Sequence, residues 1–341
     1  MVGYAVHTSI AFSLVAGIGM MIVGVTVAPW ALRAMSTPED ILGPATTYIR
    51  IYFLGVIGNL IYNMGAGILR AVGDSKRPLY FLIASCLTNI VLDIAFVIGL
   101  HMGVAGAALA TILSQALSAV LVLWVLMRTK DMHRLELKKI RFDGRMFHRI
   151  IRIGLPAGLQ SVMYTSSNIL IQSSVNALGT DTVAAWTAYS KIDSLFWMIV
   201  NAFGISITTF VGQNYGAGKK ERIRTGIREG VILTILINIP LALMLLCIPE
   251  FLTSFMLNDA SIISYTRDFL AVTGICLFPL GWLFVFRNGC QGMGHTFVPM
   301  LSGVLEVSLR VVMVKLLTPY LAFRGVALAE VSAWIGAWIM L

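Results

Sequence analysis

Residues 78–100 read PLYFLIASCLTNIVLDIAFVIGL, 23 positions that carry a single charge, Asp93. A helix needs about 20 apolar residues to cross ~30 Å of hydrocarbon, so this run is long enough to span a bilayer. The pattern recurs from end to end. Apolar runs lie near 8–30, 45–69, 78–100, 104–127, 150–178, 182–212, 225–247, 262–288, 297–318 and 324–341, separated by short polar connections. Hydrophobic residues make up 58% of the 341 and charged residues 12%. That is about half the ~25% charge usual in soluble domains, too little to cover a surface facing water. The ~10-residue alternating segments of a β-barrel are absent, so the runs are predicted to be helices that satisfy their own backbone. The expected fold class is an all-α polytopic membrane protein.

The net charge is +9, and the placement of the bases says what it is for. Of 25 Lys and Arg, three lie at 70–77, nine at 128–152 and five at 219–228, each group following an even-numbered run. The intervening connections hold only Arg33 and Arg324. Basic connections stay cytoplasmic, so this asymmetry sets the orientation and implies no nucleic-acid partner. Cys86, Cys247, Cys276 and Cys290 show no CxxC spacing, and the five His are scattered, so neither a zinc site nor another metal cluster is indicated. The first run shows no small-residue cleavage signature of a signal peptide.

The chain repeats itself. GILRAVGDSKRP at 67–78 meets NGCQGMGHTFVP at 288–299 with a shift of 221, which superposes Gly73 on Gly294 and Pro78 on Pro299. Gly103-Val104-Ala105 meets Gly325-Val326-Ala327 at 222, and Pro29 meets Pro249 at 220. Two copies of one design follow, a parallel-repeat organisation common among secondary transporters. Runs 150–178 and 182–212 have no counterpart in the first half, so about 75 residues forming two helices are expected to be missing upstream. The last helix is likewise expected to be cut short at Leu341. The predicted organisation is a first lobe at 1–127, a cytoplasmic linker at 128–149 and a second lobe at 150–341.

Asp93 lies about fifteen residues into its run, about 22 Å at 1.5 Å per residue. A charge there costs about 2.5–3.5 kcal/mol on insertion scales, so it is expected to face a cavity or a partner. Asn89 is one turn earlier on the same face. An amide carbonyl beside a carboxylate makes hard oxygen ligands for Na⁺, and a buried carboxylate can also carry a proton. Asn59, Asn63 and Gly67 form a polar, small-residue stripe on the preceding run, which also suits close helix packing. Gln160, Tyr164, Asn168 and Gln172 recur every four residues, an uncharged polar face expected to line a central cavity rather than touch lipid. Trp197 and Asn201 are assigned to that cavity. Trp186, Tyr189, Phe196 and Trp197 would suit organic cations, although interfacial anchoring is preferred for Trp186 and Tyr189.

The remaining intramembrane charges are Glu306, Arg310, Lys191, Asp193 and Glu330. Glu306 and Arg310, four apart, are expected to form an ion pair, either a structural bridge or a conformational or proton-coupled switch. One or more of Lys191, Asp193 and Glu330 is a candidate for substrate binding. Arg50, Arg267 with Asp268, Arg287 and Lys315 fall near run ends and are expected only to reach the interface. No GxxxxGK[ST] phosphate loop and no Ser/His/Asp or Cys/His arrangement is present, leaving an ion gradient as the energy source.

These tracts, with Gly154-Leu155-Pro156 and TTFVGQNYGAG at 208–218, resemble the multidrug and toxic compound extrusion (MATE) family over essentially the whole chain. The resemblance implies two pseudo-symmetric six-helix lobes, with helices three to twelve, about ten of the family's twelve, present here. It also implies a monomeric exporter of small organic, often cationic, compounds, in a bacterial or archaeal plasma membrane. Inward Na⁺ or H⁺ movement would drive alternating access, with no resident cofactor and no enzymatic reaction. In two branches of the family the first-lobe cation site has an Asn-x-x-x-Asp pair on helix five, which Asn89 and Asp93 match, and a Thr on helix six, which Thr111 matches. An Asn on the preceding helix, for which Asn63 stands, and an Asp on helix one complete it; the latter would lie upstream of Met1. The second-lobe pattern of another branch, a Glu eight residues after the helix-seven Pro and an Asp on helix ten, is not met at Tyr164 and Leu280. A lipid-precursor flippase, a membrane-embedded enzyme and an inactive shortened gene product are the competing readings.

Overall fold

The computed structural model describes residues 2–35, 37–254 and 260–341, apart from the side chains of 253, 260–265 and 268. Among the described residues the regular structure is helical throughout. In chain order the helices are α1 (Val2–Ala34), α2 (Glu39–Leu54), α3 (Val56–Ala71), α4 (Lys76–Asp93), α5 (Gly103–Arg128), α6 (Gly144–Asn176) and α7 (Thr180–Gly216). They continue as α8 (Lys220–Cys247), α9 (Pro249–Ser254), α10 (Ala260–Ile275), α11 (Leu277–Gly292) and α12 (Phe297–Met340). A π-helical turn, Ile94–Gly99, extends α4, and a 3₁₀ turn, Leu137–Lys139, lies before α6.

Among the described residues six helices are long and apolar enough to cross a membrane, or eight if each of two bent pairs, α2 with α3 and α10 with α11, is one span. The run α12 holds two of the predicted helices, because its backbone breaks at Ala322 (φ 48°, ψ −128°) three residues after Pro319. Its halves fold back on each other: a Cβ added to Gly325 would lie 2.7 Å from the Leu317 carbonyl carbon. Side chains of Leu79, Leu82, Ile83, Leu87, Ile90 and Val91 on α4 are exposed, as a lipid-facing helix requires.

Two compact units divide the chain at Ile151 and Arg152. The first is centred on Val6, Ile10, Leu69, Val122, Leu126 and Leu135. In it α3 approaches α5 through Gly65, where a Cβ would lie 2.7 Å from Val122 Cγ2. The connection 129–143 packs with this unit, its Leu135 buried in the core. The second unit is centred on Tyr189, Phe269, Leu270, Leu283, Phe323, Val326 and Trp334.

The internal repeat has a structural counterpart in each unit. The α2/α3 pair bends by 42° at Gly55 and the α10/α11 pair by 50° at Cys276, and these positions are 221 apart. Gly73 (φ 95°) and Gly294 (φ 80°), also 221 apart, both take left-handed backbone after the following helix, as a helix-ending glycine does.

Trp186 and Tyr189 correct the expectation that they anchor at the interface. They are 8% and 4% exposed, within the second unit's core, where Trp186 meets Phe269 edge-on at 5.6 Å. Arg50 and Arg267 stay exposed, bonding to the Val25 carbonyl and to Glu250. The Asp268 side chain lies outside the described residues.

Candidate functional site

In the first unit, α4 and α5 run antiparallel. Ser85 Oγ donates to the Ser114 carbonyl at 2.7 Å, and Gly106 allows Phe96 close, since a Cβ there would lie 3.0 Å from Phe96 Cβ. That register brings Asn89 level with Thr111. Asn89 Nδ2 and Asp93 Oδ1 are both shut off from solvent and have no hydrogen-bond partner among the described residues. Polar atoms in that condition are rare, because each costs about 1–3 kcal/mol of lost hydration. Thr111 Oγ1 donates to the Ala107 carbonyl at 2.9 Å, which leaves its oxygen lone pairs free to accept or ligate.

Asp93 is also the last residue of α4 before the π-helical turn. The wider turn frees backbone from the regular ladder and is frequent beside functional residues. Nothing in the apolar sequence of 94–99 signals it. Asn63 stands apart: it is exposed, and its amide donates to Asn59 Oδ1 at 2.6 Å and to the Asn59 carbonyl at 2.9 Å, within α3 itself.

In the second unit a cavity of about 430 Å³ takes Gln160 and Tyr164 from α6, Trp197 and Asn201 from α7, Phe284, Arg287 and Asn288 from α11, and Glu306 from α12. Trp197 lies between Tyr164 and Phe284, with ring centroids 5.2 Å from each. Asn201 donates to the Trp197 carbonyl at 2.7 Å. The polar stripe of α6 continues into a separate recess of about 450 Å³ that holds Asn168 and Gln172, with Gln172 bonded to Asn176 at 2.8 Å. The six cavity residues predicted from sequence thus divide between two hollows, four in one and two in the other.

The intramembrane charges pair differently from their spacing. Glu306 does not pair with Arg310. Arg287 Nη2 reaches Glu306 Oε2 at 2.8 Å and Ser302 Oγ at 3.1 Å, and Arg310 Nη2 reaches Glu330 Oε1 at 3.4 Å across the two halves of α12. Both pairs are buried, with Arg310 1%, Glu306 3%, Glu330 5% and Arg287 7% exposed. Arg287, expected only to reach the interface, is therefore a central member of the network. Spacing along one helix fails here because α12 turns back at Ala322 and brings residue 330 beside residue 310. Arg310 also donates to Asn168 Oδ1 at 2.9 Å and lies 4.9 Å from the Tyr164 ring centre, and the Tyr189 hydroxyl donates to Glu330 Oε2 at 3.2 Å.

Asp193 adjoins this group, with Trp197, Tyr189, Glu330 and Arg310 in its surroundings. Lys191 does not belong to it. It is exposed, and among the described residues no ion pair includes it. Three carboxylates therefore face two guanidiniums, and Asp193 has no base at ion-pair distance among the described residues.

The MatE family profile matches residues 1–95 and 156–315. The chain belongs to the MatE family. Within the family it is 33% identical over 206 residues to the "Probable multidrug resistance protein YpnP" of Bacillus subtilis (strain 168), covering 60% of this chain and 46% of that protein. It is 25% identical over 302 residues to the "Probable multidrug resistance protein NorM" of Thermotoga maritima, covering 87% of this chain and 64% of that one. The chain thus spans between about half and two thirds of the length of these relatives. A solved MATE transporter in an outward-facing conformation shares the fold, with a TM-score of 0.92 over 99% of this chain and 76% of that chain at 22% identity. The matched MatE proteins are membrane transporters, not enzymes.

Proposed function

We propose that this chain carries the transport machinery of a cation-coupled exporter of small organic compounds, working by alternating access in the plasma membrane. The observation that carries the reading is that Asn89 Nδ2 and Asp93 Oδ1 are buried with no hydrogen-bond partner among the described residues. A carboxylate, an amide carbonyl and a hydroxyl offer hard oxygens to a monovalent cation, and the carboxylate alone offers a place for a proton. The Asn89 amide presents its oxygen after a flip of its terminal group, since amide N and O are nearly equal in size and packing.

The second unit supplies the features of a substrate site. Its cavity combines the aromatic wall of Tyr164, Trp197 and Phe284 with amides, and Asp193, next to that wall, has no base at ion-pair distance among the described residues. A flat, cationic compound would find faces for its rings and a carboxylate for its charge. The multidrug names of the matched relatives support that substrate class. The resident arginines are each committed to a glutamate, which favours this reading over a pyrophosphate-linked lipid precursor.

The test is uptake of ethidium by proteoliposomes under an imposed Na⁺ or pH gradient. One gradient is expected to drive accumulation, and Asp93→Asn is expected to abolish it while reconstituting to the same level. Transport by Asp93→Asn at the wild-type rate would remove the assignment.

A further inference from the structure

The connection between α5 and α6 is bound down rather than loose. The buried His7 of α1 accepts a bond from the Glu136 backbone N–H at Nε2, 3.0 Å, while its Nδ1 donates to the Gly3 carbonyl at 2.6 Å. The buried Thr8 Oγ1 accepts from the Asp143 N–H at 3.1 Å and donates to the Arg141 carbonyl at 3.4 Å. Leu135, 2% exposed, donates its N–H to the Leu126 carbonyl at 2.8 Å. Two side chains of α1 thus fix the connection across that helix's end, and the basic residues on it are held in position.

They surround a cleft of about 710 Å³, within the range of ligand pockets. Five bases line it, Lys130, Arg134, Lys138, Lys139 and Arg141, against two acids, Asp131 and Glu136. Lys139 takes Glu136 at 2.9 Å, a bond that holds the Glu136 carboxyl below its ordinary range, and Asp131 accepts from Thr129 at 3.0 Å. Among the described residues no ion pair reaches Lys130, Arg134, Lys138 or Arg141. The Arg141 guanidinium is steadied over the Tyr4 ring at 5.6 Å. Arginines and lysines converging on one hollow, with the local acids already satisfied, match a multiply charged oxyanion.

We propose that this cleft binds a phosphate-bearing anion at the cytoplasmic face. The charge asymmetry of the connections places it at headgroup depth, so the phosphate can come from an acidic phospholipid or from a soluble compound.

The experiment uses the full chain in neutral detergent, with fluorescent phosphatidylglycerol, fluorescent phosphatidylcholine and inorganic pyrophosphate as probes. Arg134→Gln with Lys138→Gln, both exposed positions, is the test variant, and Lys219→Gln with Lys220→Gln is a charge-matched control on the α7–α8 connection. At about fivefold per base, the test variant is expected to weaken binding about 25-fold, while the control changes it less than about twofold. Saturable phosphatidylglycerol binding that pyrophosphate does not displace assigns a lipid headgroup. Pyrophosphate binding with or without the lipid assigns a site open to soluble phosphates. The proposal is overturned if neither probe binds better than phosphatidylcholine, or if the control variant weakens binding as much as the test variant does.

Discussion

The Arg310–Glu330 pair makes a quantitative claim about what closes the second unit. Its members are 1% and 5% exposed and 3.4 Å apart, one on each half of α12. Removing one partner strands the other charge in a poorly solvated interior, which typically costs about 3–5 kcal/mol. For the 190 residues of 152–341, at about 2–4 °C per kcal/mol, either Arg310→Met or Glu330→Met should lower the midpoint by roughly 6–20 °C. Removing both should cost much less, because no charge is left stranded. Tyr189 and Asn168 then each lose a hydrogen bond, at about 1 kcal/mol apiece. The double variant is therefore expected about 2 kcal/mol below wild type, a coupling of at least about 4 kcal/mol between the sites. Denaturant titration in mixed micelles, followed by far-ultraviolet circular dichroism, measures all four species. Losses that add to within about 0.5 kcal/mol would refute the pairing, since independent sites behave that way.

Two further outcomes test the packing and the cavity. Gly65→Val should destabilise by about 1–3 kcal/mol, because the new carbon falls 2.7 Å from Val122 Cγ2 in a buried contact. Gly67→Val, where nothing lies within 4 Å of the added carbon, is its control, and equal losses in a thermal melt would contradict the α3–α5 approach. Trp197→Ala should weaken binding of an aromatic cation by about 3- to 30-fold, the worth of one aromatic face. Fluorescence titration with ethidium reads this directly, and unchanged affinity would move the substrate site away from the Tyr164–Trp197–Phe284 wall.

Much of the architecture was legible in the chain because a bilayer imposes a simple rule. An uninterrupted apolar run that long has only one way to satisfy its backbone in hydrocarbon, so the helices and the repeat could be read directly. The repeat even carries its defects, with a bend at Gly55 matched at Cys276. Asn89 and Asp93 were visible for a similar reason, since an acid among apolar residues is costly wherever the helix points. The π-helical turn after Asp93 was not visible, because it depends on how α4 closes against α5.

Pairing was beyond the sequence. Helical spacing set Glu306 against Arg310, yet Arg287 takes the glutamate and Glu330 takes the arginine. Lys191 looked equivalent to Asp193 in sequence and faces outward instead. Trp186 and Tyr189 had the composition of interfacial anchors and are core residues. In each case the deciding quantity is the distance between helices far apart in the chain, and hydrophobicity along a single helix holds no record of that. The chain by itself determined where most of its long apolar helices lie, because apolar length and transfer energy are summed locally. Only tertiary structure decided which buried charge answers which, because Coulomb energy follows separation in space, and the reversal at Ala322 sets that separation.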